Sequence, residues 1–435
     1  MIEPRVLKGF RDALPEQELA RQEIITSLTE TFSSFGFVPI DTPVLEYREV
    51  LLGKGGGETD KQVYTFRDHG NRDVAMRFDL TVPFARFMAA HVNELPLPFK
   101  RYHIDKVWRG ENTQKGRYRE FYQCDFDIVG IDHVSADFEI LFLMHQALTH
   151  LGLPEFTINI SHRGVFNAFL ETLGIRDAGP EILRIVDKLQ KIGSSEVISQ
   201  LQEHVSTDQA QDIIAFISAD GTPEDILDTL RQLCGRETDE LTRLRQLISY
   251  ADTAGFGGCL ALNPSITRGL DYYTGVVFET FLKDLPGIGS VCSGGRYNDL
   301  ASLYTKQQLP GVGSSIGLDR LMAALDELGL QRRRSSSVEI MIFCMDEKHM
   351  GSYQQTASRL RSSGFHTEVY LTKRKMQQQF SYAEKRMVPL GLMIGEAELN
   401  SGSYTLRDLS TRDQWELGDY PSLEAKCTEL LKRSS

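Results

Sequence analysis

The sequence predicts an α+β protein: a strand-rich body interrupted by a block of helices and followed by a small α/β domain. Three observations carry this. Alternating, aromatic-rich runs at Val63-Tyr-Thr-Phe66, Val74-Ala-Met-Arg-Phe78, Tyr102 to Trp108 and Phe121 to Val129 have the period of strands. From about Gly164 to Tyr250 the texture becomes helical, with Leu, Ile, Gln, Glu and Asp broken at Gly174, Gly179-Pro180, Gly193 and Gly221-Thr-Pro223. Beyond Gln331-Arg-Arg-Arg-Ser-Ser-Ser337, strand and helix signals alternate. The expected division is a body over 1–330 with a helical insertion at about 164–255, a linker over 331–337 and a second domain over 338–435.

Taken in order, Pro15 to Gly36 has the apolar spacing of an amphipathic helix, with Leu19, Ile24, Ile25, Leu28 and Phe32 three and four apart. Prolines at 39 and 43 stop it and predict an extended segment, Phe37-Val-Pro-Ile-Asp-Thr-Pro43. Gly53-Lys-Gly-Gly-Gly-Glu58 predicts a flexible loop and lacks the Gly-Lys-Ser/Thr ending of a phosphate loop. Strands resume after the insertion at Leu270 to Phe281 and Gly289 to Ser293, and a glycine-rich strand, Gly311 to Gly317, runs into a helix over Leu318 to Leu328. In the last domain Ile340 to Phe343, Thr367 to Leu371 and Leu390 to Ile394 read as strands, with helices near Tyr353 to Ser362 and Lys375 to Lys385, giving a mixed sheet.

Composition narrows the function. A formal charge of −12 argues against a general nucleic-acid coat, because phosphate binding needs clustered Lys and Arg. The charge is uneven: Arg332 to Ser435 carries 16 basic and 13 acidic residues, a net of +3, leaving −15 for the rest. The tail is the part suited to meeting a polyanion. Six scattered cysteines without a C-x-x-C pair write neither a zinc knuckle nor a disulfide framework. No run approaches a membrane span and the N-terminus has no signal pattern, so a cytoplasmic protein is expected. A hydrolase triad lacks a Gly-x-Ser-x-Gly anchor, and the histidines lack metal-ligand spacing.

Three arginine-bearing strings stand out: Trp108-Arg-Gly-Glu111 with Lys115-Gly-Arg-Tyr-Arg119, Thr267-Arg-Gly-Leu-Asp-Tyr-Tyr273, and Gly317-Leu-Asp-Arg320. The planar guanidinium fork suits phosphate oxygens, and arginines converging from distant positions would bind a triphosphate. Singly, an arginine beside a glycine is more often a surface residue or a structural ion pair.

Together with Cys292-Ser-Gly-Gly-Arg-Tyr-Asn298, the Thr267–Tyr273 string resembles the two signature peptides of the histidyl-tRNA synthetase family, in their order. Arg109-Gly-Glu111 through Phe121-Tyr-Gln-Cys-Asp-Phe-Asp127 resembles motif 2 of class II synthetases, Gly311 to Arg320 motif 3, and the helix ending at Gly36 with Pro43 motif 1. Lys373-Arg-Lys-Met-Gln-Gln-Gln-Phe380, Ile394-Gly-Glu396 and Leu406-Arg-Asp-Leu409 are similar to the family's anticodon-binding domain. Arg77-Phe-Asp79-Leu-Thr81 looks like the eukaryotic and archaeal form of its segment, and Gln114-Lys-Gly-Arg117 like the bacterial form.

The resemblance implies a six-stranded antiparallel sheet flanked by helices, a motif 1 homodimer, and histidine–tRNA ligase activity with ATP as substrate and Mg2+ bound with the phosphates. It implies Arg268 and Arg109 at the α-phosphate, Arg320 near the γ-phosphate, and Glu111 and Arg117 along the nucleotide. It implies Asp79 and Thr81 at the histidine ammonium with Gln123 beside them, Asp127 and Tyr273 facing the imidazole, and Tyr272 as a wall. Gln114 and Arg119 would approach the tRNA 5′ end; no protein metal ligands are implied. The alternative is a histidine-sensing regulatory subunit of ATP phosphoribosyltransferase, whose members typically lack the anticodon domain and lose parts of the Arg-Gly-Leu-Asp-Tyr-Tyr string. Both are present in this chain.

Overall fold

The computed structural model describes residues 1–53, 61–113, 116–186, 189–266, 272–330 and 336–432. The chain forms two compact units, Met1–Asp12 with Glu23–Gln331, and Ala13–Gln22 with Arg332–Ser435. The Gly53–Glu58 loop expectation, the Thr267–Asp271 part of the first signature string and most of the linker lie outside the described residues.

The first unit is built on an eight-stranded sheet. Its order is Val38–Pro39, Phe99–Trp108, Glu120–Val129, Gly311–Gly317, Cys292–Arg296, Val276–Leu282, Phe156–His162, Leu260–Leu262. The six middle strands pair antiparallel, as expected, and each short edge strand pairs parallel with its neighbour. Parallel neighbours need a crossover connection. For Phe156–His162 and Leu260–Leu262 that crossover is the entire helical block between them.

Alternation along Glu120–Val129 sorts its side chains by face. Cys124, Phe126 and Ile128 are fully buried, and Phe32 of the Pro15–Ser34 helix packs on Phe126 with ring centroids 4.9 Å apart and the planes tilted by 34°. Gln123, Asp125 and Asp127 occupy the other face, with the functional cavity over it. From Gln123 to Ile128 this strand therefore puts its apolar residues on one face and its polar ones on the other.

The insertion has its own core. Ile182, Val197, Leu201, Ile213, Leu227 and Leu241 are inaccessible to solvent and come from five of the helices between Gly179 and Thr253. The break predicted at Gly221-Thr-Pro223 is a helix start: Thr222 caps the amide of Asp225, Asp225 returns the bond, and Pro223 fills the first turn, where its missing amide costs nothing.

A buried ionic cluster ties the insertion to the sheet. Asp137, on the Val134–His150 helix, takes Arg296 Nε at 2.8 Å and Arg243 Nε at 2.5 Å, and Arg243 Nη1 reaches Asp132 at 2.8 Å. Asp137 and Arg296 are essentially without solvent contact, so the pair holds only while both partners are present.

The second unit carries a five-stranded mixed sheet. Ile340–Ile342 lies parallel between Thr367–Val369 and Leu390–Met393, and Tyr404–Asp408 and Gln414–Leu417 continue antiparallel. Those last two strands and the Tyr420–Lys432 helix extend the expected set. The Gln379 amide is buried and clamps both the N–H and the C=O of Cys344 at 2.8 Å. No helix among the described residues is long and apolar enough to cross a membrane.

Candidate active site

Over the polar face of the sheet lies a cavity of about 1620 Å³. Its floor is cut by two glycines that admit no side chain. A Cβ on Gly313 would lie 1.9 Å from Asp127 Oδ1, and one on Gly294 would lie 2.2 Å from the Gly313 carbonyl. Both are therefore required by the close approach of strands and of the Asp127 carboxylate.

One end is a pocket of buried carboxylates and tyrosines. Asp127 pairs with Arg101 at 2.7 Å and accepts the Tyr297 hydroxyl. Asp79 accepts the Val82 amide at 3.0 Å on one oxygen and the Tyr272 hydroxyl at 3.3 Å on the other. Thr81 donates to Asp125 at 3.4 Å, and Gln123 donates to Ser315 at 2.9 Å. Burial pushes the Asp79 carboxyl up to about 6, against the pull of the Val82 amide and Arg109. It also raises Asp125 and Asp127, with Arg101 opposing, and raises the Tyr272 and Tyr273 phenols. Asp79 and Asp127 on the lining, with Asp125 behind Thr81 and Arg101 paired to Asp127, suit a cationic ligand with further hydrogen-bonding groups.

The other end is basic. Arg109 donates from Nε to the Phe78 carbonyl at 2.8 Å, lies 5.2 Å from the Phe121 ring centroid, and has Glu111 at 3.8 Å. Arg320 donates to the Ser290 carbonyl, and burial lowers its pKa. Arg117 lines the same wall. Guanidiniums held by backbone carbonyls are preorganised for an anionic ligand, because their positions are set before it arrives.

Of the residues singled out from sequence, Asp79, Thr81, Arg109, Glu111, Arg117, Gln123, Asp127, Tyr272, Tyr273 and Arg320 all line this one cavity. Arg268 and Gln114 lie outside the described residues. Arg119 turns to the Glu111 carbonyl, 3.2 Å from Nε. Arg296, in the second signature string, faces the buried ionic cluster, whereas its neighbour Tyr297 faces the cavity.

Sequence reasoning missed three contributors. Asp125 shares the strand face of Gln123 and Asp127 by simple alternation. Arg163, at the start of the insertion, lines the cavity and donates to the Tyr273 carbonyl at 2.7 Å. Insertion residues including Glu181, Arg184, Glu203 and His204 form a further wall, which no apolar pattern could announce. Elsewhere Asp41, His103 and Asp105 offer three potential metal-ligand atoms within 4.8 Å of one another, but Arg77 already compensates Asp105 at 2.5 Å, and no metal is assigned there.

A sequence model of the family described as Histidyl-tRNA synthetase matches residues 9–321, and one described as Anticodon binding domain matches residues 339–423. The chain belongs to the histidyl-tRNA synthetase family. A histidine–tRNA ligase from Treponema denticola is 50% identical over 400 residues, covering 91% of this chain and 89% of that protein. The crystal structure of histidyl-tRNA synthetase from Nostoc sp. PCC 7120 superposes with a TM-score of 0.88 at 30% identity, covering 99% of this chain and 100% of that one. A structure from Bacillus halodurans C, described as an ATP phosphoribosyltransferase regulatory subunit/histidyl-tRNA synthetase, shares the fold at a TM-score of 0.75 and 23% identity, over 88% of this chain and 97% of that one. Membership of the histidyl-tRNA synthetase family accounts for the order of the motif strings.

Proposed function

We propose that the protein is a histidine–tRNA ligase: it activates L-histidine with ATP to histidyl-adenylate, releasing pyrophosphate, and transfers the histidyl group to the 3′ end of histidine tRNA. The observation that carries this reading is the single cavity with a carboxylate pocket at one end and fixed arginines at the other. An amino acid and a nucleotide laid along it would meet at the centre.

In the first step the histidine carboxylate attacks the α-phosphorus and the bond to pyrophosphate breaks. Negative charge accumulates on the phosphoryl oxygens, and Arg109 with Arg268 would stabilise it, with Arg320 at the γ-phosphate and Arg117 and Glu111 along the nucleotide. Asp79, Thr81 and Gln123 would hold the ammonium; because the Tyr272 hydroxyl reaches Asp79, Tyr272 helps orient that carboxylate. Asp127 and Tyr273 would face the imidazole. A site built to bond both ring nitrogens rejects an apolar ring, since its own buried groups would be left unpaired. Mg2+ would screen the phosphates, and the carboxylates of Glu111 and Glu279 on the arginine wall are the hard oxygen donors that fit it.

The rest of the proposal follows from composition and surface. Residues 1–330 would do the chemistry and the more basic 338–435 would engage the tRNA anticodon, with 331–337 as linker. Gln114 and Arg119 would approach the tRNA 5′ end. Exposed apolar side chains at Val38, Val44, Leu45 and Tyr47, following the first helix, fit a two-fold homodimer through motif 1. A ligase of this kind works where ATP and tRNA are, in the cytoplasm.

The test is ATP–pyrophosphate exchange by the purified protein without tRNA. Histidine alone among the amino acids should stimulate exchange. Histidine binding without exchange would support the sensor reading instead. A pH series adds a second check. With its carboxyl near pH 6, Asp79 binds the ammonium as an anion above that pH and loses it below, so histidine affinity should fall by up to about tenfold per pH unit below 6. Histidine's own ring titrates nearby, so Asp79→Asn is the reference: its profile should lack the added slope.

A further inference from the structure

Residues 7–11 form a strap against the nucleotide wall. Phe10 N–H closes a turn on the Leu7 carbonyl at 3.0 Å, with Gly9 at φ +88°. The Gly9 carbonyl accepts the Arg119 amide at 2.8 Å, and a Cβ on Gly9 would lie 2.7 Å from Arg119 Cγ. Glycine is needed there both for its backbone angle and for the close approach. Phe10 adds an edge-to-face contact with Tyr64 at 6.4 Å.

Arg11 then makes two bonds in two directions. Its Nη1 donates to the Tyr118 hydroxyl at 3.0 Å, with the guanidinium 4.0 Å from that ring's centroid, and its Nη2 pairs with Asp319. Asp319 is buried and its second oxygen accepts the Tyr122 amide at 2.9 Å. Tyr118 is next to Arg117, and Asp319 is next to Arg320, two arginines of the wall that come from distant parts of the chain. Between them Gly116 rests on Arg320, where a Cβ would be 3.3 Å from its Cα. The loop that carries Arg117 and the helix that carries Arg320 therefore have one shared brace, Arg11, from a segment outside both motifs.

We infer that Arg11 is a positioning residue for nucleotide binding: through Tyr118 and Asp319 it sets Arg117 and Arg320 at the spacing that receives the ATP phosphates, without touching ATP. The inference rests on the ligase reading and specifies how its nucleotide half is assembled. Arg11 is one-third exposed, so its removal opens no cavity in the core.

The experiment is histidine-dependent pyrophosphate exchange by the full chain, with KM for ATP and for histidine measured separately. Arg11→Ala should raise the ATP KM about tenfold, the size expected for losing a charge-assisted contact, and leave the histidine KM within about twofold. Arg11→Lys keeps a charge for Asp319 but not the fork, and should fall between the two. Tyr118→Phe removes only the hydroxyl acceptor and should raise the ATP KM by a smaller factor, about two- to threefold. Equal rises in both KM values, or no rise in either, would overturn the inference. Absence of exchange in the unmodified protein would overturn the ligase reading itself, which separates the two failures.

Discussion

Asp137→Ala destabilises the protein by about 3–5 kcal/mol, the range for removing one partner of a buried ion pair. The reason lies in what remains. Arg296 Nε, at 2.8 Å from Asp137, and the adjoining Arg243 Nε would lose their partner and share only the more exposed Asp132, while Arg296 has almost no access to water. The loss is read from urea unfolding followed by Trp108 fluorescence in a Trp415→Phe background, since these are the chain's two tryptophans. A companion, Asp137→Leu with Arg296→Met, removes the fully buried pair and should recover most of the loss, because the remaining Arg243 is partly exposed and keeps Asp132 at 2.8 Å. A single-variant loss below about 1 kcal/mol would mean that water reaches the cluster.

Arg109→Ala lowers the rate of histidine-dependent exchange by about 10²–10³, the cost of one preorganised donor at a developing oxyanion. Stability should hardly move, because Arg109 is partly exposed and its main anchor is a single carbonyl, Phe78 O. Lysine should not rescue it. The ε-nitrogen of arginine bonds the backbone while the two terminal nitrogens stay available to the phosphate, and an ammonium cannot divide its donors that way. A rate within threefold of the unmodified protein would remove Arg109 from the transition state.

Much of this was legible in the chain, and the limits have physical causes. Five of the six central strands show as alternating or glycine-rich runs, as along Cys124, Phe126 and Ile128, whereas Phe156–His162 is not among the runs read as strands. Of the two parallel edge strands, Val38–Pro39 falls within the extended segment that the prolines predict, and Leu260–Leu262 does not show, since it is too short to carry a period. Ten of the residues chosen from motif strings meet in one cavity. Asp125 was overlooked although the same alternation that places Gln123 and Asp127 places it beside them. Arg296 shows the converse: it shares a string with Tyr297, yet successive strand residues point to opposite faces, and only Tyr297 reaches the cavity. The insertion's amphipathic pattern announces that its helices pack on one another. It says nothing of what their polar sides enclose, because periodicity reports only the apolar face.

The bond from Arg163 to the Tyr273 carbonyl bears on how such a chain can be shortened or recombined. Between Phe156–His162 and Leu260–Leu262 the helices look like a detachable module, with a separate core and capped ends. Excising them would nevertheless take away Arg163, part of the cavity wall, and the connection that lets the last strand of the sheet run parallel. Exchange of this block between relatives is therefore a transplant that must carry its own fit to the tyrosine pair, and a donor block lacking an arginine at that place would arrive without the tether.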